Sequence, residues 1–444
     1  MSIPKIILYL AIISGFFGSA FLTFNIGPFS LFPFRIFLLL LWFIFIFGLF
    51  LRKGKLDISY IKTKGYLLFL LFWLFWAFLS FGWAEDKAEA IRDIIFLFMG
   101  CSLIFFTVFY LRRLKDFKRL YYIWIVVLII LIPIGFWERF TGNHLPVSGL
   151  FESTHRIAKF MPTTVFQNPN DFATFLVLTF PFLLSFLRHN KGFFRKLFII
   201  LLILCSLYLL LFTYSRANYL ALTFEFLFVF LFLFRLKSKF KAIITIALII
   251  LALVIIFPEQ FSSITGLFKE QVSSLFLQVG IETASVEIRI NLIKNSLLCL
   301  QKSFGFGIGA GNAEYCIENY GKYWTKGIIN VHNWWFEILT EYGIFVFGGY
   351  LIFYLNLIRA LYKKHKQLIT KNLQLKTKNK QQANDNKQLI TEKMICEALL
   401  VSLVGFFLAS ISSSSIMAFN PHWLLFAFSL AFLNYTKLTT KSSS

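Results

Sequence analysis

Ile36-Phe37-Leu38-Leu39-Leu40-Leu41-Trp42-Phe43-Ile44-Phe45-Ile46-Phe47-Gly48-Leu49-Phe50-Leu51 runs without a charge and stops at Arg52-Lys53-Gly54-Lys55. An apolar run of about 20 helical residues crosses a hydrocarbon core, and a basic cluster at its end is retained on the cytoplasmic side. The pattern recurs through the chain. Twelve spans are expected, near 4–24, 30–51, 66–83, 94–111, 120–138, 171–187, 197–213, 217–234, 242–257, 334–358, 396–417 and 421–436. Composition agrees, with 58% hydrophobic, 20% aromatic and only 15% charged residues, well below the roughly 25% charged content of soluble domains.

Basic residues set the orientation. Residues 52–64 carry five, 112–119 five, 188–196 four, 235–241 four and 359–393 ten, always on the same side. The alternate loops are balanced or acidic: 84–93 has two basic against four acidic residues, and 258–332 has six of each. Both termini are therefore expected in the cytoplasm. The net charge of +23 reads as this topological signal plus attraction to anionic lipid, which argues against a nucleic-acid partner. Gly18-Ser19-Ala20 resembles a signal-peptidase site, but the apolar run before it is long, and a retained first helix is expected.

The fold class is thus an all-α integral membrane protein of about twelve helices. Residues 1–257 form a nine-helix region, 258–332 a large extracytoplasmic loop with amphipathic helices, and 333–444 a three-helix region with a basic cytoplasmic loop at 359–395. That last loop, rich in Lys, Gln and Asn and holding the near-duplicates Lys366-Gln367-Leu368-Ile369-Thr370 and Lys387-Gln388-Leu389-Ile390-Thr391, reads as flexible and solvated.

The outer loop mixes polar with apolar residues. Over 284–301, Val286, Ile290, Ile293, Leu297 and Leu300 recur at helical spacing, and Arg289 lies toward a polar flank, where a salt bridge with Glu282 or Glu287 is the plain alternative to a functional role. Gly305-Phe306-Gly307-Ile308-Gly309-Ala310-Gly311-Asn312 lacks the Lys-Ser/Thr of a phosphate loop and any preceding strand. It reads as a tight turn that brings the Arg289 helix to His332. Cys299 and Cys316 share this loop and are open to pairing, but two buried thiols are the expectation. No CxxC pair or metal-ligand spacing appears, and His144 and His155, eleven residues apart, make no zinc pattern.

His332 opens His332-Asn333-Trp334-Trp335-Phe336-Glu337-Ile338-Leu339-Thr340-Glu341-Tyr342-Gly343, where the long loop enters an apolar helix. Trp334, Trp335 and Phe336 read as interfacial aromatics, open to stacking on sugar. Arg216, in the short outer turn Thr213-Tyr214-Ser215-Arg216-Ala217-Asn218, defies the positive-inside bias; snorkelling to headgroups is the plain alternative. Upstream, 139–170 holds Arg156 and ends in Asn168-Pro169-Asn170-Asp171, where Asn170 or Asp171 is expected to cap the sixth span. Two guanidiniums, Arg216 and Arg289, on one face suit a diphosphate, and a nearby imidazole suits work on a hydroxyl. Asp is scarce and Asp-x-Asp absent, so no metal or cofactor is expected.

Together, His332-Asn333 with Glu341 and Gly343, the Ser215-Arg216 turn, Arg289 ahead of the glycine run, and Asn168-Pro169-Asn170 resemble the O-antigen ligase and polysaccharide polymerase family of bacterial membrane glycosyltransferases. The resemblance covers about residues 150–350 and the span layout. It implies an undecaprenyl diphosphate-linked glycan donor held by Arg216 and Arg289, a sugar acceptor acted on by His332, and a site on the outer face of the cytoplasmic membrane. Asn333, Glu341, Arg156, Asn168 and Asn170 would support it, with Glu341 a buried carboxylate paired within the bundle. A flippase and chain-length regulators are implied partners. The Phe, Ile and Lys content suggests an AT-rich, single-membrane bacterium, which favours polymerisation for a capsular, exopolysaccharide or teichuronic-type glycan. A ligase is the alternative. A transporter or flippase is disfavoured because span interiors hold few ionisable groups, Glu225 the clearest. A lipid-sugar transferase is disfavoured because the first outer loop, 25–30, has no carboxylate.

Overall fold

The structure, a computed structural model, describes residues 2–26, 29–51, 57–233, 281–376, 383–411, 413 and 416–441. The expected span 242–257, the basic connection 235–241 and residues 258–280 of the long loop lie outside the described residues. Every other expected span falls on a helix: α1 (Ile3–Phe17), α2 (Pro33–Leu51), α3 (Lys64–Ser80), α4 (Lys87–Tyr110), α5 (Leu114–Thr141), α6 (Pro169–His189), α7 (Phe193–Leu211), α8 (Arg216–Phe228), α11 (Trp334–Lys376), α12 (Ala383–Ala409) and α13 (Asn420–Lys441). Two further helices, α9 (Ile281–Lys302) and α10 (Ala313–Tyr320), lie between α8 and α11. Eight helices among the described residues are long and apolar enough to cross a membrane, against the twelve expected. The chain is a multi-pass membrane protein.

The helices sort into inner and outer ones. Of the apolar window of α6, 83% is buried, against 17% for α2 and 28% for α7. Phe43, Phe47 and Phe50 on α2 and Phe194, Leu201 and Leu204 on α7 face outward, as lipid-facing side chains must when no polar partner is available. Helix α13 is buried almost all round from Trp423 to Tyr435. Gly100 of α4 lets the Trp423 ring lie against its backbone, where a Cβ would come within 2.5 Å of the indole.

Among the described residues the fold is all-helical, as expected, apart from one short antiparallel hairpin, β1 (Phe24–Ile26) with β2 (Phe29–Leu31). Three expectations need correction here. The stretch 359–395 is largely helix, because α11 runs on to Lys376 and α12 begins at Ala383; Leu361, His365, Leu368 and Leu389 are buried and give these extensions a packed face. Trp334 and Trp335 are interior rather than interfacial, 0% and 8% exposed. The Trp334 indole donates to the Tyr350 hydroxyl at 2.9 Å and that of Trp335 to the Phe407 carbonyl at 3.2 Å, fixing the start of α11 to the bundle. Finally, the buried face of α9 is Ile288, Leu292, Ser296 and Cys299, while Ile290 and Leu297 of the predicted stripe are exposed. Polar side chains explain the inversion. Asn295 accepts from the Lys322 and Tyr323 amides at 3.0 and 2.9 Å and donates to the Tyr323 carbonyl, and Asn291 donates to the Trp324 carbonyl.

Candidate active site

Helix α11 breaks at Gly343, with φ 79° and ψ −177°. A break in an apolar helix frees backbone groups that nothing in lipid can satisfy. The glycine run fills it. The Ile308 and Gly309 amides donate to the Thr340 and Glu341 carbonyls, both at 3.0 Å, and the Ile344 amide donates to the Gly305 carbonyl at 2.9 Å. Gly305, Gly307, Gly309 and Gly311 all have positive φ, and a Cβ at Gly307 would sit 2.5 Å from the Gly343 nitrogen. The far side of the run docks on the α3–α4 corner. There the Trp83 indole donates to the Gly307 carbonyl, the Ala310 amide to the Ser80 hydroxyl, and Asn312 exchanges bonds with the Asp86 backbone. The sequence reading of a tight turn holds, and backbone insertion into a broken helix is its purpose.

A disulfide joins Cys299 of α9 to Cys316 of α10, correcting the expectation of free thiols. Around it Ile288, Leu292, Ala313, Ile317 and Val331 form a small core separate from that of the bundle. This core carries Arg289 on one side and delivers the chain to His332 on the other.

His332 has φ 49°, a left-handed backbone that costs a non-glycine residue about 1 kcal/mol or more and marks positions held for a reason. Neighbours hold it there. Its amide donates to the Asn330 side chain at 2.9 Å, Asn330 in turn donates to Glu314 at 2.6 Å, and the Trp334 amide donates to the Ser410 carbonyl at 3.1 Å. Asn333 caps α11 through bonds from the Trp335 and Phe336 amides. Burial, and then the charge of Arg289, lower the His332 pKa from its ordinary value, so the ring is neutral at neutral pH. Arg289 in turn is lowered by crowding and by the charge of Arg216. The three residues, from α8, α9 and the loop before α11, therefore lie within electrostatic reach of one another. Among the described residues no ion pair joins Arg289 to Glu287, and the Glu282 side chain lies outside them.

Arg216 is the first residue of α8. Beside it the buried Asn218 donates to the Ser215 hydroxyl at 2.9 Å and to the Asn170 carbonyl at 3.3 Å, tying this turn to the start of α6. The cap of α6 is Asn168, which accepts from the Asp171 amide at 3.0 Å, rather than Asn170 or Asp171. Proline at the first helical position needs a cap just before it. Arg156 is exposed in the preceding loop and is not brought to the site. That loop is tied down by Glu138, which accepts from the Thr163 and Thr164 amides at 2.7 Å and approaches His144 at 3.4 Å. Burial opposes a charge on His144, but the Glu138 bond, the Lys159 carbonyl and the Glu138 charge together outweigh it and raise the pKa.

His332 and Asn168 line a cavity of about 650 Å³. Its floor holds Asp93, Glu337 and Glu341, close enough to feel one another's charge. Glu341, expected to be a buried carboxylate paired within the bundle, makes no ion pair among the described residues; one oxygen accepts from the Ala313 amide at 3.3 Å, and Asp93 accepts from the Tyr342 hydroxyl. Sequence reasoning passed over Asp93 and Glu337, though the signal was present. Asp86, Glu89 and Asp93 share one face of α4, and Glu337 and Glu341 are four apart on α11.

A bundle of apolar helices that carries a histidine in left-handed backbone, two arginines within electrostatic reach of each other and a cavity lined by polar residues defines a multi-pass membrane protein with a polar site. Residues 199–351 match the family model described as O-antigen ligase. Over 432 residues the chain is 32% identical to the teichuronic acid biosynthesis protein TuaE of Bacillus subtilis (strain 168), covering 96% of this chain and 84% of that protein. The chain belongs to the O-antigen ligase family, whose members are membrane glycosyltransferase-like enzymes of surface-polysaccharide biosynthesis.

Proposed function

We propose that the protein polymerises lipid-linked oligosaccharide repeat units, carried on undecaprenyl diphosphate, into a surface polysaccharide of teichuronic type. The observation that carries this reading is the electrostatic chain Arg216, Arg289, His332, which ends on the wall of an acidic cavity. Guanidiniums hold the donor diphosphate, which the carboxylates of the cavity repel. The acceptor hydroxyl gives its proton to the neutral imidazole of His332 while its oxygen bonds to the donor anomeric carbon. The diphosphate leaves with the electrons of the broken carbon–oxygen bond, its charge stabilised by Arg216 and Arg289. No metal or cofactor takes part. The relation to a teichuronic acid biosynthesis protein supports polymerisation.

The site faces the extracytoplasmic side of the cytoplasmic membrane in this reading. The Cys299–Cys316 disulfide suits an oxidising compartment, and the opposite end gathers Arg188, His189, His365 and Lys393 around Glu397, as the positive-inside rule expects. Cysteine at position 289, with the three unpaired cysteines removed, is expected to react with an impermeant thiol reagent in intact cells; reaction only after lysis would reverse the topology.

Arg289→Lys is expected to lower extension roughly tenfold or more despite keeping the charge, because the bidentate fork is lost. Unchanged rates for this variant in proteoliposomes would remove Arg289 from diphosphate binding. The reading as a whole is tested by the glycan profile of a deletion strain. Single lipid-linked repeats without long polymer are expected; long lipid-linked polymer that never reaches its final acceptor would identify a ligase, and an unchanged profile would overturn both.

A further inference from the structure

We infer that the cavity beside His332 is an acceptor subsite selective for a terminal sugar without carboxylate, phosphate or sulfate, so that in a polymer containing acidic sugars the new bond is made to an uncharged residue. This inference rests on the proposed transfer reaction and deepens it.

The charge balance of the cavity wall is lopsided. Seven of its lining residues are acidic, while one, Arg92, is a permanent cation, and Arg92 is already bonded to both oxygens of Glu89, at 2.9 and 3.1 Å. The acids occupy two levels. Glu314 and Glu318 on α10 are exposed at the mouth, and Glu341 is 4% exposed at the floor. A second observation points to a ligand. One carboxyl oxygen of Glu341 is buried without a hydrogen-bond partner although the residue lines the cavity, which leaves a polar atom open to a group that can donate or accept, such as a sugar hydroxyl. The volume of about 650 Å³ lies within the range of small-molecule sites.

Hydroxyl and acetamido groups donate to carboxylates and would satisfy these acceptors. An anionic sugar would bring a like charge beside Asp86, Glu89, Glu314 and Glu318, with Arg92 the one lining cation, and like-charge juxtaposition is a strong means of rejecting a partner. The neutral His332 ring offers no compensating charge. The arrangement therefore sorts substrates by charge: anion to the arginine side, uncharged hydroxyl to the acidic side, with the imidazole between them.

The test uses the full-length protein in proteoliposomes with one donor and three lipid-linked acceptors that differ only in the terminal residue: a hexose, a hexuronate and its methyl ester. The hexose and the ester are expected to be extended with similar kcat/KM, and the free hexuronate roughly tenfold less well or worse. Equal extension of hexuronate and ester would overturn the inference alone, leaving transfer intact. Extension of none of the three would overturn the transfer reading, and the inference with it. Glu318→Lys, which reverses one charge at the mouth, is expected to narrow the gap between hexuronate and ester severalfold; an unchanged gap would also overturn the assignment.

Discussion

Replacing His332 with alanine is expected to lower glycan extension about 10²- to 10⁴-fold, the usual contribution of a positioned acid–base group, while the protein still inserts and folds. The physical basis is the neutral ring. Burial and the Arg289 charge hold the His332 pKa below its ordinary value, so the base form prevails through neutrality. The rate of the wild-type protein is accordingly expected to stay level from about pH 7 upward and to fall only below the normal histidine range near 6.5, as the ring takes a proton. His332→Asn is the sharper variant, because asparagine tolerates the left-handed backbone at φ 49° better than alanine does. It should unfold like wild type and remain inactive. Full extension by either variant in proteoliposomes would remove His332 from the mechanism.

Gly343→Ala is expected to be as damaging, although it removes no functional group. At φ 79° an alanine is strained whatever the space, and its Cβ would sit 2.5 Å from the Phe306 carbonyl oxygen. The glycine run would have to lift from α11, giving up the bonds from Ile308, Gly309 and Ile344. In an apolar surrounding those groups have no other partner. A loss of about 3 kcal/mol or more is expected from backbone strain together with broken bonds. Activity should go with it, because Gly311, Ala313 and Glu341 line the cavity. Thermal unfolding in detergent beside turnover checks this, with Gly48→Ala as the comparison, since a Cβ there meets nothing within 4 Å. A Gly343→Ala protein as stable and active as Gly48→Ala would show that the inserted loop is not what holds the site together.

Much of the architecture is legible in one dimension. The run ending at Leu51 and its counterparts locate helices because about 20 apolar residues have few other uses. The glycine run announces backbone contact because alternate positive φ angles exclude side chains. Arg216 and Arg289 stand out because a guanidinium is costly where they occur. What stays hidden is which face of an apolar helix turns inward. Lipid and protein interior are equally apolar, so periodicity marks a stripe without saying what covers it.

Helix α9 shows this most clearly. Ile290 and Leu297 made the conspicuous stripe, yet the face with Asn291 and Asn295 is buried, because hydrogen bonds to the 322–324 backbone outweigh the placement of two aliphatic side chains. Trp334 and Trp335 looked interfacial by type, and only their bonds to Tyr350 and Phe407 reveal an interior position. Asp86, Glu89 and Asp93 read as loop charge in the sequence, and only the meeting of α4 with α11 puts them in one cavity with Glu337 and Glu341. Helix positions and the candidate histidine and arginines follow from local cost, which each segment carries by itself. The disulfide, the acidic cavity and the link from Arg216 through Arg289 to His332 depend on contacts between segments more than a hundred residues apart in part, and only the packed bundle decides those.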